Sequence, residues 1–292
     1  AGFSTVHQRG TGDPHETNVW RCGQEVQFKV RAGPNYRKNG FKVASGESLY
    51  ELVGVDLIRS TKALPSLSKL VRYPTTAPTR RTGHECVPEL LVVHGCLPLE
   101  APSMMSPASD GPTLNVVFYY RIRESTCSAL GNLGPQTSPA VRLLLRWSQE
   151  AATSPEMFAR FKCIGSVRNY EQAGLPSVFK SFNGKPVLIR NAAKTKGGSG
   201  TLERGTCPDG TSYIKMRVNI RAWPYMAKQG LGYLLLGLER ADVDVGFVLE
   251  GSSDQELPEV ILGAAQLTKL RLPTEFHDGA LHEAYLEYPR RP

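Results

Sequence analysis

The chain has 292 residues, with 35 Lys and Arg against 27 Asp and Glu, giving a formal net charge of +8 and a pI near 9.2. That length suits one large domain or two small ones, and 40% hydrophobic content belongs to a globular chain rather than a disordered one. Its longest apolar run, 231–238, is far short of the ~20 residues that cross a bilayer.

The N-terminus lacks the apolar stretch after a basic start that marks a signal peptide. The chain opens on Ala1, so a targeting segment removed before it stays open. The excess positive charge points to anionic partners, with a basic solvated surface as the alternative. The six cysteines (Cys22, Cys86, Cys96, Cys127, Cys163, Cys207) form no Cys-x-x-Cys pair, and no Asn-x-Ser/Thr acceptor occurs. Both features favour a reducing, cytoplasmic compartment, while the even count keeps a disulfide reading open.

In chain order, 1–18 is polar and Gly-rich and reads as a loose arm. The segment 25–31 alternates Val26, Phe28 and Val30 with polar residues, as a strand does. A second strand is predicted over 50–58, a long surface excursion over 59–88, a buried strand over 89–97 and a Pro-rich loop over 98–112. Thr113 opens a strong strand to Arg123, rich in Val, Phe and Tyr. A helix is predicted over 139–152, with Ser138 as its cap and Pro139 at its first position. Strands follow at 161–167 and 186–190, then a Gly/Lys/Thr-rich mobile stretch over 192–211 and a strand over 211–221. A Gly-containing helix is expected over 224–240, then strands over 242–250 and 259–270, and a polar tail from Pro273. Strands come in runs rather than alternating with helices, which predicts an α+β fold. We expect a mainly antiparallel curved sheet on one or two helices, able to enclose an apolar cavity.

Motifs for catalysis are weak. Gly198-Ser-Gly200 lacks the full nucleophile elbow, and Ser66-Leu-Ser-Lys69 has no companion triplets. The His-Glu pairs at 15, 84 and 282 do not extend to His-Glu-x-x-His, so no metal or cofactor is expected. His94 reads as a hydrogen-bonded core or edge residue, and Asp242 and Asp244 as the solvent side of a half-buried strand. One basic concentration stands out. Arg59, Lys62, Lys69, Arg72, Arg80 and Arg81 lie in a stretch with no acidic residue, interleaved with Leu64, Leu67, Leu70 and Val71. Basic and apolar groups together suit an anionic membrane surface; the alternative is a solvated loop whose leucines fold back on the core. Nucleic acid is not expected, since Tyr73 is the sole stacking platform.

One string carries more information. Glu256-Leu-Pro-Glu-Val-Ile-Leu-Gly263 follows a strand and a polar turn. It is accompanied by Trp20, the Phe28-Lys-Val-Arg-Ala-Gly-Pro-Asn-Tyr36 segment including Arg31, Tyr50-Glu-Leu-Val-Gly-Val-Asp-Leu57, Phe158-Ala-Arg-Phe-Lys162 and Gly184-Lys-Pro186. Together these resemble the C-terminal domain of the plant enhanced disease resistance 2 family, over about 20–272. The resemblance implies a single domain over 19–272, and company with lipid-binding START and pleckstrin-homology domains. It marks Trp20, Arg31, Lys162, Glu256, Leu257, Pro258, Glu259 and Gly263 as structural motif residues, with Glu256 expected to pair with an arginine or cap a helix. The family's acidic positions read here as Lys215 and Asn219, and an expected asparagine as His94, which weakens an enzyme reading. The reading reached is a non-enzymatic regulatory domain at the membrane periphery, binding an anionic lipid surface or an apolar ligand. A protein-interaction module and, behind it, a lipid-ester hydrolase are the alternatives.

Overall fold

Alternating apolar residues decide most of the architecture in a computed structural model of the chain, described for residues 5, 6, 8–13, 15–23, 28–64, 67, 80, 82–103 and 110–274. The strands and helices run β1 (Thr5–Val6), β2 (Gln8–Arg9), β3 (Val19–Cys22), β4 (Lys29–Arg31), α1 (Tyr36–Asn39), β5 (Lys42–Ala44), β6 (Tyr50–Ser60), β7 (Leu90–Pro98) and β8 (Thr113–Ile122). They continue as α2 (Glu124–Gly131), α3 (Pro139–Glu150), α4 (Pro155–Phe158), β9 (Phe161–Val167), β10 (Pro186–Leu188), β11 (Gly200–Thr206), β12 (Ser212–Asn219), α5 (Tyr225–Leu236), β13 (Asp242–Leu249) and β14 (Ile261–Thr268).

The class is α+β, as expected, but the strands do not share one sheet. One sheet has the order β1-β6-β8-β7-β12-β11, a second β10-β9-β13-β14-β3-β2, and β4-β5 form a hairpin. Most pairs are antiparallel; β7 and β12 run parallel. Alternation shows which face of each strand is apolar, but not which strand that face meets. Here β8 and β13 meet across a gap: Phe118 and Phe247 pack edge to face with ring centroids 5.7 Å apart, and Tyr120 meets Phe247 at 5.9 Å. Such ring pairs add about 0.5–1.5 kcal/mol beyond their buried area.

Helix α3 packs on β9 and β13. The Ser138 hydroxyl accepts from the Val141 N–H, and Pro139 fills the first turn, as its sequence predicts. Its Trp147 stacks on Phe161 at 5.8 Å, and Phe161 stacks on Phe247.

Three further expectations change. The stretch expected to be mobile contains β11, an edge strand held through its backbone by β12, where propensity gives little signal. The expected loose arm is pinned at two points, by β1 on β6 and β2 on β3. Asp244 is buried rather than solvent-facing and lies 3.5 Å from Arg168; burial raises its carboxyl to about 6. All six cysteines are free thiols.

Candidate ligand cavity

Beside Phe118 and Phe247 lies a cavity of about 450 Å³, lined from both sheets. Alternate residues of β7 and β8 (Val93, Gly95, Leu97, Leu114, Val116) line one wall, and Cys163, Gly165 and Val167 of β9 with Val243 and Val245 of β13 line the other. Period two dictates this, since i and i+2 share a face. Gly165 widens the space, because a Cβ built there meets nothing within 4 Å. Among the described residues that line the cavity, Lys185 alone carries a charge. Asn183 also lines it, but its amide is spent on the backbone of Val167, accepting from N–H at 2.7 Å and donating to C=O at 3.0 Å.

The cover is unusual. Helix α5 is apolar on most faces, yet none of its residues is buried. A helix hydrophobic all round normally sits in a core or a membrane. Here Ala227, Gly230, Leu231, Leu234 and Leu235 look into the cavity, while Leu236 is 81% exposed. A 3₁₀ turn, Ser177–Phe182, meets α5 through Phe179 and Tyr233, whose rings are 5.5 Å apart. Gly230 permits that approach: a Cβ there would come within 3.3 Å of the Phe179 ring.

The basic stretch singled out in the sequence lies elsewhere. On β7 it is Leu90 and Val92, facing away from the cavity, that pack with Ile58, Val117, Tyr119 and Leu67 in a separate cluster. Leu67 is fully buried there, so at least one of the interleaved leucines folds back. Arg80 is committed: its Nη1 contacts Glu51 Oε1 at 2.5 Å and donates to the Ile122 carbonyl at 2.8 Å. Arg59 donates to the Thr274 carbonyl at 3.1 Å. Lys62 is exposed. Lys69, Arg72 and Arg81 lie outside the described residues.

The motif residues, by contrast, converge. Glu259, 4% exposed, receives Arg31 Nε at 2.7 Å and the Gly251 N–H at 3.0 Å. Lys162 Nζ lies 2.5 Å from Glu250 and 4.0 Å from Glu259. Glu256 pairs with Arg160 at 2.7 Å and accepts from the Ser252 N–H at 2.6 Å. Pro258 follows a cis bond to Leu257, and Trp20 is buried in the main core. This network fastens the 28–44 segment to the β13–β14 connection. It is remote from the cavity, none of whose lining residues belongs to it.

The substituted positions have structural partners too. Lys215 is buried and ion-paired with Glu203, its cross-strand neighbour. The Asn219 side chain accepts from the Arg221 N–H. His94 and Cys96 lie 3.4 Å apart, but burial drives the thiol up to about 11 and the imidazole down to about 3. A thiolate–imidazolium nucleophile needs the opposite shifts. Among the described residues no group of three or more His, Cys, Asp or Glu could hold a metal, and no helix is long and apolar enough to cross a membrane.

The cavity walls were not legible in the sequence, because alternation within a strand cannot show a gap between sheets. One usable signal was present: 210–238 contains α5 and no acidic residue, with glycines at 230, 232 and 237 in an otherwise apolar run. No curated protein matches the chain. A family model described as Protein ENHANCED DISEASE RESISTANCE 2, C-terminal, matches residues 20–271, and the chain belongs to that family.

Proposed function

We propose that this member of the enhanced disease resistance 2 C-terminal family is a non-enzymatic binder of an apolar ligand, a lipid hydrocarbon chain held between the two sheets. The observation that carries this reading is the cavity itself: about 450 Å³, walled by aliphatic and aromatic side chains, with one cation, Lys185, in its lining. Small-molecule sites span roughly 300–1,000 Å³ and combine an apolar lining with a few polar groups that set orientation. An apolar interior with one lysine suits an amphiphile whose chain is buried and whose anionic end faces Lys185. The favourable term is large, since transferring each methylene out of water contributes about 0.8 kcal/mol. As a regulatory domain, the protein would respond to the presence of that lipid through α5, a part of the cavity's cover with no buried residue.

The test is uptake of a fluorescent fatty-acid probe by the purified chain, alongside the Gly165→Phe variant, which projects a ring into the cavity. Saturable binding that falls at least tenfold in Gly165→Phe, with an unchanged melting temperature, is the expected result. If the wild-type chain takes up no probe, or the variant binds as well, the reading fails and a protein-interaction module becomes the better account.

A further inference from the structure

We infer that the outer face of α5, with the Ser177–Phe182 turn and β10, docks on an anionic bilayer. Large exposed apolar side chains concentrate on these three elements. Val178 (61% exposed), Leu188 (43%) and Leu236 (81%) stand outside the cavity lining, while Phe182 (49%), Met226 and Tyr233 are exposed and also line the cavity. Among the described residues, only Phe41 and Leu133 are large hydrophobics comparably exposed elsewhere. Exposed apolar groups gathered in one region mark an interaction site.

Charge selects the partner. From 172 to 202 the chain holds Lys180, Lys185, Arg190, Lys194 and Lys196 and no acidic residue, and α5 carries Lys228 and no acid. Lys180 is partly occupied by Glu171, 2.6 Å away; Lys185 and Arg190 are exposed. A face with apolar tips and charges of one sign fits an anionic membrane surface, where apolar groups enter the acyl boundary and cations meet headgroups. The 12-residue α5 is about 18 Å long, too short for the ~30 Å hydrocarbon core. It would therefore lie in the plane of the interface, which places the cover of the cavity against the lipid. The docking stands without the cavity being filled; delivery of a chain from that surface rests on the binding reading above.

The experiment is co-sedimentation with vesicles of phosphatidylcholine alone and of phosphatidylcholine with phosphatidylserine, using the whole chain. The expected result is binding to the anionic vesicles that weakens with salt. It should fall at least tenfold in Val178→Glu/Leu188→Glu/Leu236→Glu, none of which lines the cavity, and stay unchanged in Lys62→Ala. Uptake of monomeric fatty-acid probe by the triple variant should persist, and Gly165→Phe should still sediment, so the two readings fail separately. Wild-type chain that stays in the supernatant at low salt, or a triple variant that sediments like wild type, overturns the proposal. Loss of binding in Lys62→Ala with retention in the triple variant would assign docking to the basic stretch and overturn it as well.

Discussion

Gly263 lies flat against the ring of Tyr120: a Cβ at that position would stand 2.5 Å from Tyr120 Cδ1. The two residues sit on different sheets, β14 and β8. Here the two sheets touch, and further along β8 Phe118, Val116 and Leu114 line the cavity. Gly263, the last residue of the 256–263 string, thus leaves the room the Tyr120 ring occupies between the sheets.

Gly263→Ala should therefore destabilise the fold, because neither a sheet backbone nor a buried ring can give way freely. Overpacking of this kind costs about 1–3 kcal/mol. Urea denaturation would show it, and the cost should shrink in a Tyr120→Leu background, since residues in contact do not add independently. Equal costs in both backgrounds would mean the ring is not what the methyl meets.

Glu259→Ala should be more damaging. It leaves Arg31 and Lys162, whose side chains are 16% and 7% exposed, short of a partner. Removing one member of a buried pair costs about 3–5 kcal/mol; Glu250, which contacts both cations, holds the expected loss to the lower end. The melting temperature would report it, and the Gly251 N–H should gain hydrogen-exchange lability. An unchanged melting temperature would show that Glu250 suffices alone.

Much of the fold was legible because it depends on local chemistry. Ser138 and Pro139 start α3, alternation marks β12 and β13, and Val, Phe and Tyr content marks β8, because capping, period and propensity are written within a few residues. Two kinds of information were not local. Whether strands share one sheet depends on partners, and β12 pairs with β7 across more than a hundred residues. A cavity is a place where side chains fail to meet, and Val116 or Val245 reads the same beside a void as in a packed core. The basic stretch is illegible for a similar reason: net charge is visible in sequence, but the commitment of Arg80 to Glu51 and Ile122 is not.

The buried His94 gives a pH signature. Burial lowers its pKa to about 3, against about 6.5 in an unfolded chain. Below pH 6.5 the unfolded state binds a proton that the folded state does not, so this contribution to stability falls as pH drops from 6.5 toward 3, by about 1.4 kcal/mol per pH unit. Asp56 and Asp244, raised to about 6 chiefly by burial, act in the opposite sense between about pH 4 and 6, because the folded state then holds the extra protons. The difference in slope between wild type and His94→Gln isolates the histidine. Parallel stability curves over pH 4–6.5 would show that His94 protonates freely in the fold.

Arg80 and Lys62 belong to the same acid-free stretch, and the structure separates them. Arg80 is about three-quarters covered, joins Glu51 and lies 3.7 Å from Glu124. Its donation to the Ile122 carbonyl ties the chain leading into β7 to the end of β8. Hydrogen bonds to charged groups contribute about 1.5–3 kcal/mol when buried, less where water screens them as it does here. Arg80→Ala should lower stability by about 1–2 kcal/mol with little change in vesicle binding. Lys62→Ala, at an exposed position, should move stability by less than about 0.5 kcal/mol. Chemical denaturation of the two variants decides it. A surface role for Arg80 requires the reverse: native stability and lost affinity for anionic vesicles.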